Sequence, residues 1–556
     1  MSPFVLSALV VLAPVVACEG TAPTAPAAPT LGARDTLALD TSPSAPEATA
    51  ATQPPAAAVS KVPSTPPSPW RSGNAPSATA ETVTRWTAVA VHHGLALPHS
   101  EADLAKGGDA AYEANLAAIV EQLPVRPRTV NYLVDEEHGY YHSPDEFWLE
   151  PAPADAETTA RIEAALALAR KGDAAALAAM IEGLVPFHPH YRPLVDAVAR
   201  YEKICAENAW SPLEMPRNKR ITPELEAAVQ QRIAAEGMVV DGEPVADSVR
   251  RYRLARQLPA LRRHIDDELF VDLNIPCEQR LTTLRLNVRR WRHSAITAAD
   301  RAHVAVNLAA QELVFRVGDE EKVRSRTVVG SNRSFFSKEL KRRIFRNATP
   351  ILADRISKVI VNPDWNVPGR IAREEIEPAI AADPEYLTKN HFRMVETASG
   401  GRIYIQQPGD HNALGRMKIL FPNNEGVYMH DTPSKARFQN PVRAASHGCV
   451  RVEKVFDLGV ALLNHDRANN PARAADADLT VGHIKAMFGR NKSIPFTIEQ
   501  PIPVVFEYYT ASVDSVEGLQ VVRFHPDIYQ YDREALDILA ARAQAASPAV
   551  PAAPAP

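Results

Sequence analysis

The hydrophobic period of this chain changes once, near residue 302, and that change constrains the fold more than any other feature. Before it, residues 81–280 carry apolar positions at helical spacing. TTARIEAALALARKGDAAALAAMIEGL (158–184) is Ala/Leu-rich with Gly172 as a stop, and Ser100 is an N-cap with Asp103 three residues on. LVPFHPHYRPL (184–194) is a proline-punctuated joint between helices. After it, AHVAVNLAAQELVFRVGDEEKVRSRTVVG reads as β-hairpins with a GDEE turn. Further strand-like runs are SKVIVN (357–362), RIYIQQ (402–407), MKILF (417–421), GVYMH (426–430) and IPVVFEYYT (502–510), with helices at 372–382 and 451–465. The expected fold class is α+β: a helical N-terminal scaffold over 81–300, a β-rich domain over 301–512, and a C-terminal extension over 513–546.

The two ends follow different rules. Residues 1–17, MSPFVLSALVVLAPVVA, are almost wholly apolar and end at Cys18, the length and chemistry of a signal-peptide core. Val15-Val16-Ala17-Cys18 resembles a bacterial lipobox, which implies lipidation at Cys18 and a periplasmic, outer-membrane-anchored protein; simple cleavage near Ala17 is the alternative. Residues 19–80 and 547–556 are rich in Ala and Pro and bury too little apolar surface to offset their ordering entropy, so they read as a disordered tether and tail. The net charge is only -5, from 61 basic and 66 acidic residues, so no single-sign field points to nucleic acid as a partner. Four cysteines, Cys18, Cys205, Cys277 and Cys449, are too few for a disulfide framework. Two buried thiols are favoured over a Cys205–Cys277 bridge. His188 and His190, beside prolines, read as solvent-facing or structural, and no metal-ligand pattern occurs.

The segment that carries chemistry is GVYMHDTPSKARFQNPVRAASHGCVRV (426–452). His430 ends a strand, and fifteen residues separate it from Ser446-His447-Gly448-Cys449. Helical residues are expected to follow, which would put Cys449 at or near a helix N-terminus, where the dipole favours a thiolate. Gly448 permits close backbone approach to a substrate carbonyl. Tyr428, two residues before His430, shares its strand face and either lines the site or packs beneath it.

H-D-T-P followed by S-H-G-C-V-R resembles the signature of the L,D-transpeptidases. VNPDWNVPGRIAREEIEPAI (361–380), DPEYLTKNHFRMV (383–395) and NALGRMKILFPN (412–423) are similar to the long periplasmic members, which carry a capping subdomain inserted in the catalytic domain. The resemblance implies such an insertion over about 365–425, with Trp365 as a packing residue. It implies Cys449 as nucleophile, His430 as its base, the Asp431 backbone carbonyl as the group that holds the imidazole tautomer, and amides around Gly448 and Cys449 as an oxyanion hole. Arg451 is implied to bind a substrate carboxylate, while Ser446 and His447 shape the loop. Residues 224–262 resemble a degenerate peptidoglycan-binding module, with a plain helical hairpin as the equal alternative. The implied reaction is acyl transfer between peptidoglycan stem peptides, donor and acceptor, forming 3→3 cross-links without metal or organic cofactor and open to carbapenem inhibition. The alternatives are hydrolysis by an L,D-carboxypeptidase, anchoring of proteins to the wall, or a non-catalytic wall-binding lipoprotein. One departure from the family is SFFSKELKRRIFRNA (334–348), a basic insertion expected to be a short helix with a solvated face; contact with acidic glycan or a partner protein is the alternative.

Overall fold

The structure, a computed structural model, describes residues 68–546 apart from 73–74, 125–131, 136–138, 143–154, 208–209, 260–263, 339–340, 399, 472–477 and 491. The signal sequence, Cys18, most of the tether and the tail lie outside the described residues. Among those described, no helix is long and apolar enough to cross a membrane.

The N-terminal half is helical: α1 (Ala78–Val89), α2 (Glu101–Lys106), α3 (Asp109–Gln122), α4 (Ala156–Arg170), α5 (Ala174–Leu184), α6 (Tyr191–Glu207), α7 (Pro223–Ala235), α8 (Val245–Ala255), α9 (Asp267–Leu273) and α10 (Cys277–Trp291). Ser100 and Asp103 form the capping box at the start of α2. The long Ala/Leu-rich run divides into α4 and α5, because Asp173 caps the second helix by accepting a hydrogen bond from the Ala176 amide at 3.0 Å. Leu116, Ile119, Leu177, Leu194, Val198 and Leu284 build one apolar core among these helices. Two buried thiols were the expected state of the scaffold cysteines, and the structure corrects this: Cys205 and Cys277 form a disulfide across α6 and α10, with Cα atoms 5.6 Å apart. The two helices pack side by side, which brings together sulfurs 72 residues apart in sequence.

From residue 302 the chain builds a nine-stranded sheet. Its strands are β1 (Ala302–Asn307), β2 (Glu312–Val317), β3 (Glu320–Gly330), β6 (Leu352–Val361), β10 (Met417–Leu420), β11 (Met429–His430), β12 (Ala444–Ser446), β13 (Val450–Val452) and β14 (Ile494–Glu507). The order is β12-β3-β13-β11-β10-β6-β14-β1-β2, and β2 also pairs with β3, so the sheet curls back on itself. The β11/β13, β12/β3 and β14/β1 pairs are parallel. Val359, Ile419, Met429 and Val450 turn inward with Leu458 and Leu462 of a long helix, Val455–Ala468.

Two expectations fail here. The basic insertion is not a helix; it is a β-hairpin of β4 (Phe335–Ser337) and β5 (Arg342–Ile344), in register Phe335↔Ile344 and Phe336↔Arg343. Ser337, beside the turn, and Ile344, at the root, are both buried, which a one-sided exposed helix would not provide. The residues after Cys449 are likewise a strand, β13, and the helix begins only at Val455. Val450 and Val452 are β-branched and pair with strands from distant sequence, which overrides local helical preference.

The segment between β6 and β10 forms its own three-stranded sheet, β7 (Trp365–Asn366), β9 (Arg402–Gln406) and β8 (Phe392–Glu396), with a helical stretch from Gly369 to Ala382. A π turn at Ala372–Ile376 interrupts that stretch. Trp365 is buried in the main core, the packing role expected of it. After β14, the hairpin β15 (Ala511–Val516) and β16 (Leu519–Phe524) turns back onto the scaffold. Trp291 is stacked between His188 and Tyr509, each with ring centroids 4.0 Å away, so His188 is a buried structural group.

The 72-residue loop closed by the disulfide restricts the unfolded chain, so the Cys205→Ser/Cys277→Ser variant should lose about 2–4 kcal/mol. Urea unfolding followed by circular dichroism measures this; an unchanged midpoint would show that the bridge adds no stability.

Candidate active site

The parallel pairing of β11 with β13 sets the geometry. His430 stands opposite Arg451, and Met429 opposite Val450. In a strand every second residue shares a face, so Tyr428 joins His430 and Cys449 joins Arg451. Parallel partners face the same way, and all four side chains therefore converge. Two contacts fix the approach: the Tyr428 amide donates to the Cys449 Sγ at 3.4 Å, and the Val450 amide donates to the Tyr428 carbonyl at 3.1 Å. Tyr428 and His430 meet edge to face with centroids 5.7 Å apart. Cys449, His430, Tyr428 and Arg451 are all buried.

The imidazole is oriented by the backbone. His430 Nδ1 lies 2.5 Å from the Asp431 carbonyl oxygen, which can only accept. Nδ1 therefore carries the proton, and the lone pair is on Nε2. The Asp431 carboxylate faces elsewhere: it accepts from the Arg416 amide at 2.9 Å and pairs with Lys435. Burial holds the His430 pKa well below the usual histidine range, the Arg451 guanidinium lowers it further, and the Asp431 and Leu414 backbones oppose this weakly. A neutral imidazole beside a thiol is equipped to take its proton.

Two cations face the same site. Arg451 is buried, its Nε has no hydrogen-bond partner among the described residues, and burial lowers its pKa to about 10. Lys418 stands opposite His430 on β10, with its Nζ 3.5 Å from the centre of the Tyr428 ring. Burial alone lowers its pKa to about 8. Sequence reading missed Lys418, because its position matters only through the β10/β11 register.

The loop from Ser446 to Cys449 is held from several sides. Ser446 Oγ donates to the Cys449 carbonyl at 2.6 Å and accepts from the Gly448 amide at 3.2 Å. Gly448 has φ of 129°, which a residue with a Cβ rarely adopts. His447 Nε2 pairs with Glu375 at 3.0 Å, tying the loop to the π turn of the inserted segment. Thr349 Oγ1 donates to the Gly448 carbonyl at 2.7 Å and accepts from the Gly330 amide at 2.8 Å. Tyr529, far along the chain, completes the relay: its hydroxyl accepts from the Thr349 amide at 3.1 Å and donates to the Gly330 carbonyl at 2.8 Å. Gly330 has no room for a side chain, since a Cβ there would meet the Asn347 carbonyl oxygen at 2.0 Å. Thr349, Tyr529 and Glu375 were not foreseen as site residues. The sequence signals were Thr349-Pro350 and DIYQYD, but neither reveals its partner.

A buried histidine with a fixed tautomer, a cysteine on the same face and two cations together can carry out thiol-based acyl transfer on an anionic substrate. Comparison with known proteins points to the β-rich domain. The family model for the YkuD L,D-transpeptidase catalytic domain matches residues 301–459, a span that contains both His430 and Cys449. A Haemophilus influenzae strain Rd protein named "Putative L,D-transpeptidase" is 28% identical over 248 residues, covering 42% of this chain and 45% of that protein. The chain thus spans less than half the length of this curated relative. The solved L,D-transpeptidase (residues 123–326) from Xylanimonas cellulosilytica is 14% identical, covering 51% of this chain and 93% of that one, with a TM-score of 0.17. At that score the superposition carries no argument. Residues 301–459 thus match a YkuD L,D-transpeptidase catalytic domain.

The Tyr529 hydroxyl bonds groups that hold the Gly448 carbonyl, so its loss should displace the loop rather than weaken substrate binding. Tyr529→Phe keeps the ring packing and is expected to slow acyl transfer about tenfold with an unchanged donor KM. Single-turnover kinetics checks this; an unaltered rate would leave Tyr529 a purely structural residue.

Proposed function

We propose that this chain is an exported cysteine L,D-transpeptidase of peptidoglycan. The observation that carries the proposal is the placement of His430 and Cys449 on one face of paired strands, with the Asp431 carbonyl accepting from Nδ1. Reduced Cys449 gives its thiol proton to His430 Nε2 and attacks the carbonyl at the L-centre of the third stem residue. A carbon–sulfur bond forms, the bond to terminal D-Ala breaks, and His430 returns the proton to the leaving amine. An amine from a second stem then attacks the thioester. The carbon–nitrogen bond of a 3→3 cross-link forms, the carbon–sulfur bond breaks, and the amine proton passes through His430 back to sulfur.

The surrounding groups suit this chemistry. The amides of Cys449 and Gly448 are the donors for the oxyanion, and the Gly448 amide must be released by Ser446 Oγ as charge develops. Arg451 and Lys418 supply the positive charge that holds the carboxylates of a stem peptide. Ser446 and His447 keep the loop in shape, Tyr428 forms the wall beside His430, and the segment over 365–425 closes above the donor. Carbapenems, which carry an acylating carbonyl and a carboxylate, are expected to acylate the same sulfur. Residues 224–262 are proposed to touch the wall polymer: their described part contains the helical pair α7 and α8 joined by a short turn. A lipid at Cys18 would keep the enzyme on the periplasmic side of a membrane; Cys18→Ser should then move it to the soluble fraction, and unchanged membrane association would refute the anchor.

Incubating the reduced protein with a disaccharide-tetrapeptide donor should give one acyl adduct by intact-protein mass spectrometry. Cys449→Ala should lose both the adduct and the cross-linked product while keeping its melting curve. Turnover by folded Cys449→Ala would end the proposal. The pH profile gives a second check. The base works while neutral, and His430 titrates below its ordinary value of about 6.5, so the acid limb of the acylation rate should lie below that pH. A limb at or above about 6.5 would show that the imidazole is not held neutral as described.

A further inference from the structure

The hairpin β4–β5 has no part in the chemistry above, yet it is rooted in the catalytic loop. The excursion spans 331–348. At one root the Ser331 amide donates to the Ser446 carbonyl at 2.7 Å. At the other, Thr349 bonds the Gly448 carbonyl. Its return strand also joins the inserted segment: Arg346 pairs with Glu374, and Arg370 donates to Asn347 at 2.9 Å. The hairpin therefore stands at the rim of the site, fixed to the loop that carries Cys449.

Its outer surface is unusual for this chain. Residues 331–348 hold six basic residues and one acidic, in a protein whose net charge is -5. Phe336 is 60% exposed, the most open aromatic among the described core-forming types. Phe336 and Arg343 are register partners in an antiparallel pair, so they share one face of the hairpin. Arg343 Nε donates to Ser334 Oγ at 3.0 Å, which steadies the guanidinium beside the ring. Arg333, Lys338 and Lys341 are also exposed. An apolar plate flanked by cations costs solvation in the free protein and gains it back on contact.

We infer that this hairpin is the docking surface for the acceptor, an anionic peptidoglycan strand, with Phe336 against the C–H face of a sugar ring and Arg343 and its neighbours on stem carboxylates. The inference rests on the proposed function. The donor's carbonyl must reach buried Cys449, whereas the acceptor arrives from solvent after the thioester has formed, and the hairpin presents an exposed face on an element fastened to the loop that carries Cys449. Charge complementarity selects this occupant, because the stem peptides carry free carboxylates while the hairpin is the basic element fastened to the catalytic loop.

Phe336→Ser and Arg343→Glu change exposed side chains and should leave the melting curve unaltered. With the reduced full-length protein, each should raise the KM for soluble peptidoglycan oligomers as acceptors about fivefold or more, while the rate of acyl-adduct formation from disaccharide-tetrapeptide donor stays as in wild type. Salt should raise the wild-type acceptor KM more than that of Arg343→Glu. An unchanged acceptor KM, or equal slowing of both half-reactions, would overturn the inference. So would loss of binding to phosphatidylglycerol vesicles with normal acceptor kinetics, which would make the hairpin a membrane contact. If wild type forms no adduct at all, the proposed function fails separately; direct binding of fluorescent oligomers to wild type and variants then still decides the hairpin's role.

Discussion

The short parallel pairing of Met429-His430 with Val450-Arg451-Val452 is the constraint on which the site depends. It is made by strands of two and three residues, too short to persist alone. Shifting either by one residue would turn its side chains to the opposite face, sending Met429 and Val450 into the site and His430 and Cys449 into the core. The register is held by what lies on both sides. Val359, Ile419, Met429 and Val450 must remain in the apolar core, and on either flank β10 and β3 supply longer partners. The alignment of His430 with Cys449 is thus a by-product of core packing.

The rest of the molecule supports that pairing from a distance. The Gly330–Thr349–Gly448 relay joins three points of the β-rich domain, and Tyr529 seals it from the C-terminal extension. The extension is itself pinned to the scaffold: Arg256 of the helical half donates to the Val522 carbonyl at 2.8 Å and pairs with buried Glu236. Asn287 of α10 donates to Thr510 Oγ1 at 2.8 Å and accepts from its backbone amide at 2.8 Å. Removing one partner from such buried polar contacts leaves the other unsatisfied, which is why they fix orientation more than they add stability.

Much of this was legible from the sequence, for identifiable reasons. The change of period near residue 302 reported the α+β division because burial follows period directly. His430, Asp431 and Cys449 could be named because their relation is carried by a local motif with fixed spacing. What could not be read is what depends on pairing between remote segments. Val450-Arg451-Val452 has no intrinsic mark that separates a strand from the first turn of a helix; its parallel partner decides. Phe335-Phe336 and the basic run after it suit a hairpin only because Ser337 and Ile344 find a place to be buried. Lys418, Glu375, Thr349 and Tyr529 acquire meaning through neighbours up to 199 residues away, and Cys205 reveals its bridge only once α6 and α10 are side by side.

Tyr529 also has a consequence in time. A chain delivered from its N-terminus presents His430 and Cys449 about eighty residues before this tyrosine. Until then the Gly330 carbonyl and Thr349 amide lack the hydroxyl that joins them, and the loop bearing Cys449 is without one of its supports. The last hydrogen bonds of the site thus wait until the chain has emerged as far as Tyr529. A chain delivered only as far as Cys449 carries His430 and Cys449 without the whole frame that sets them, so their alignment is completed by a residue that arrives later.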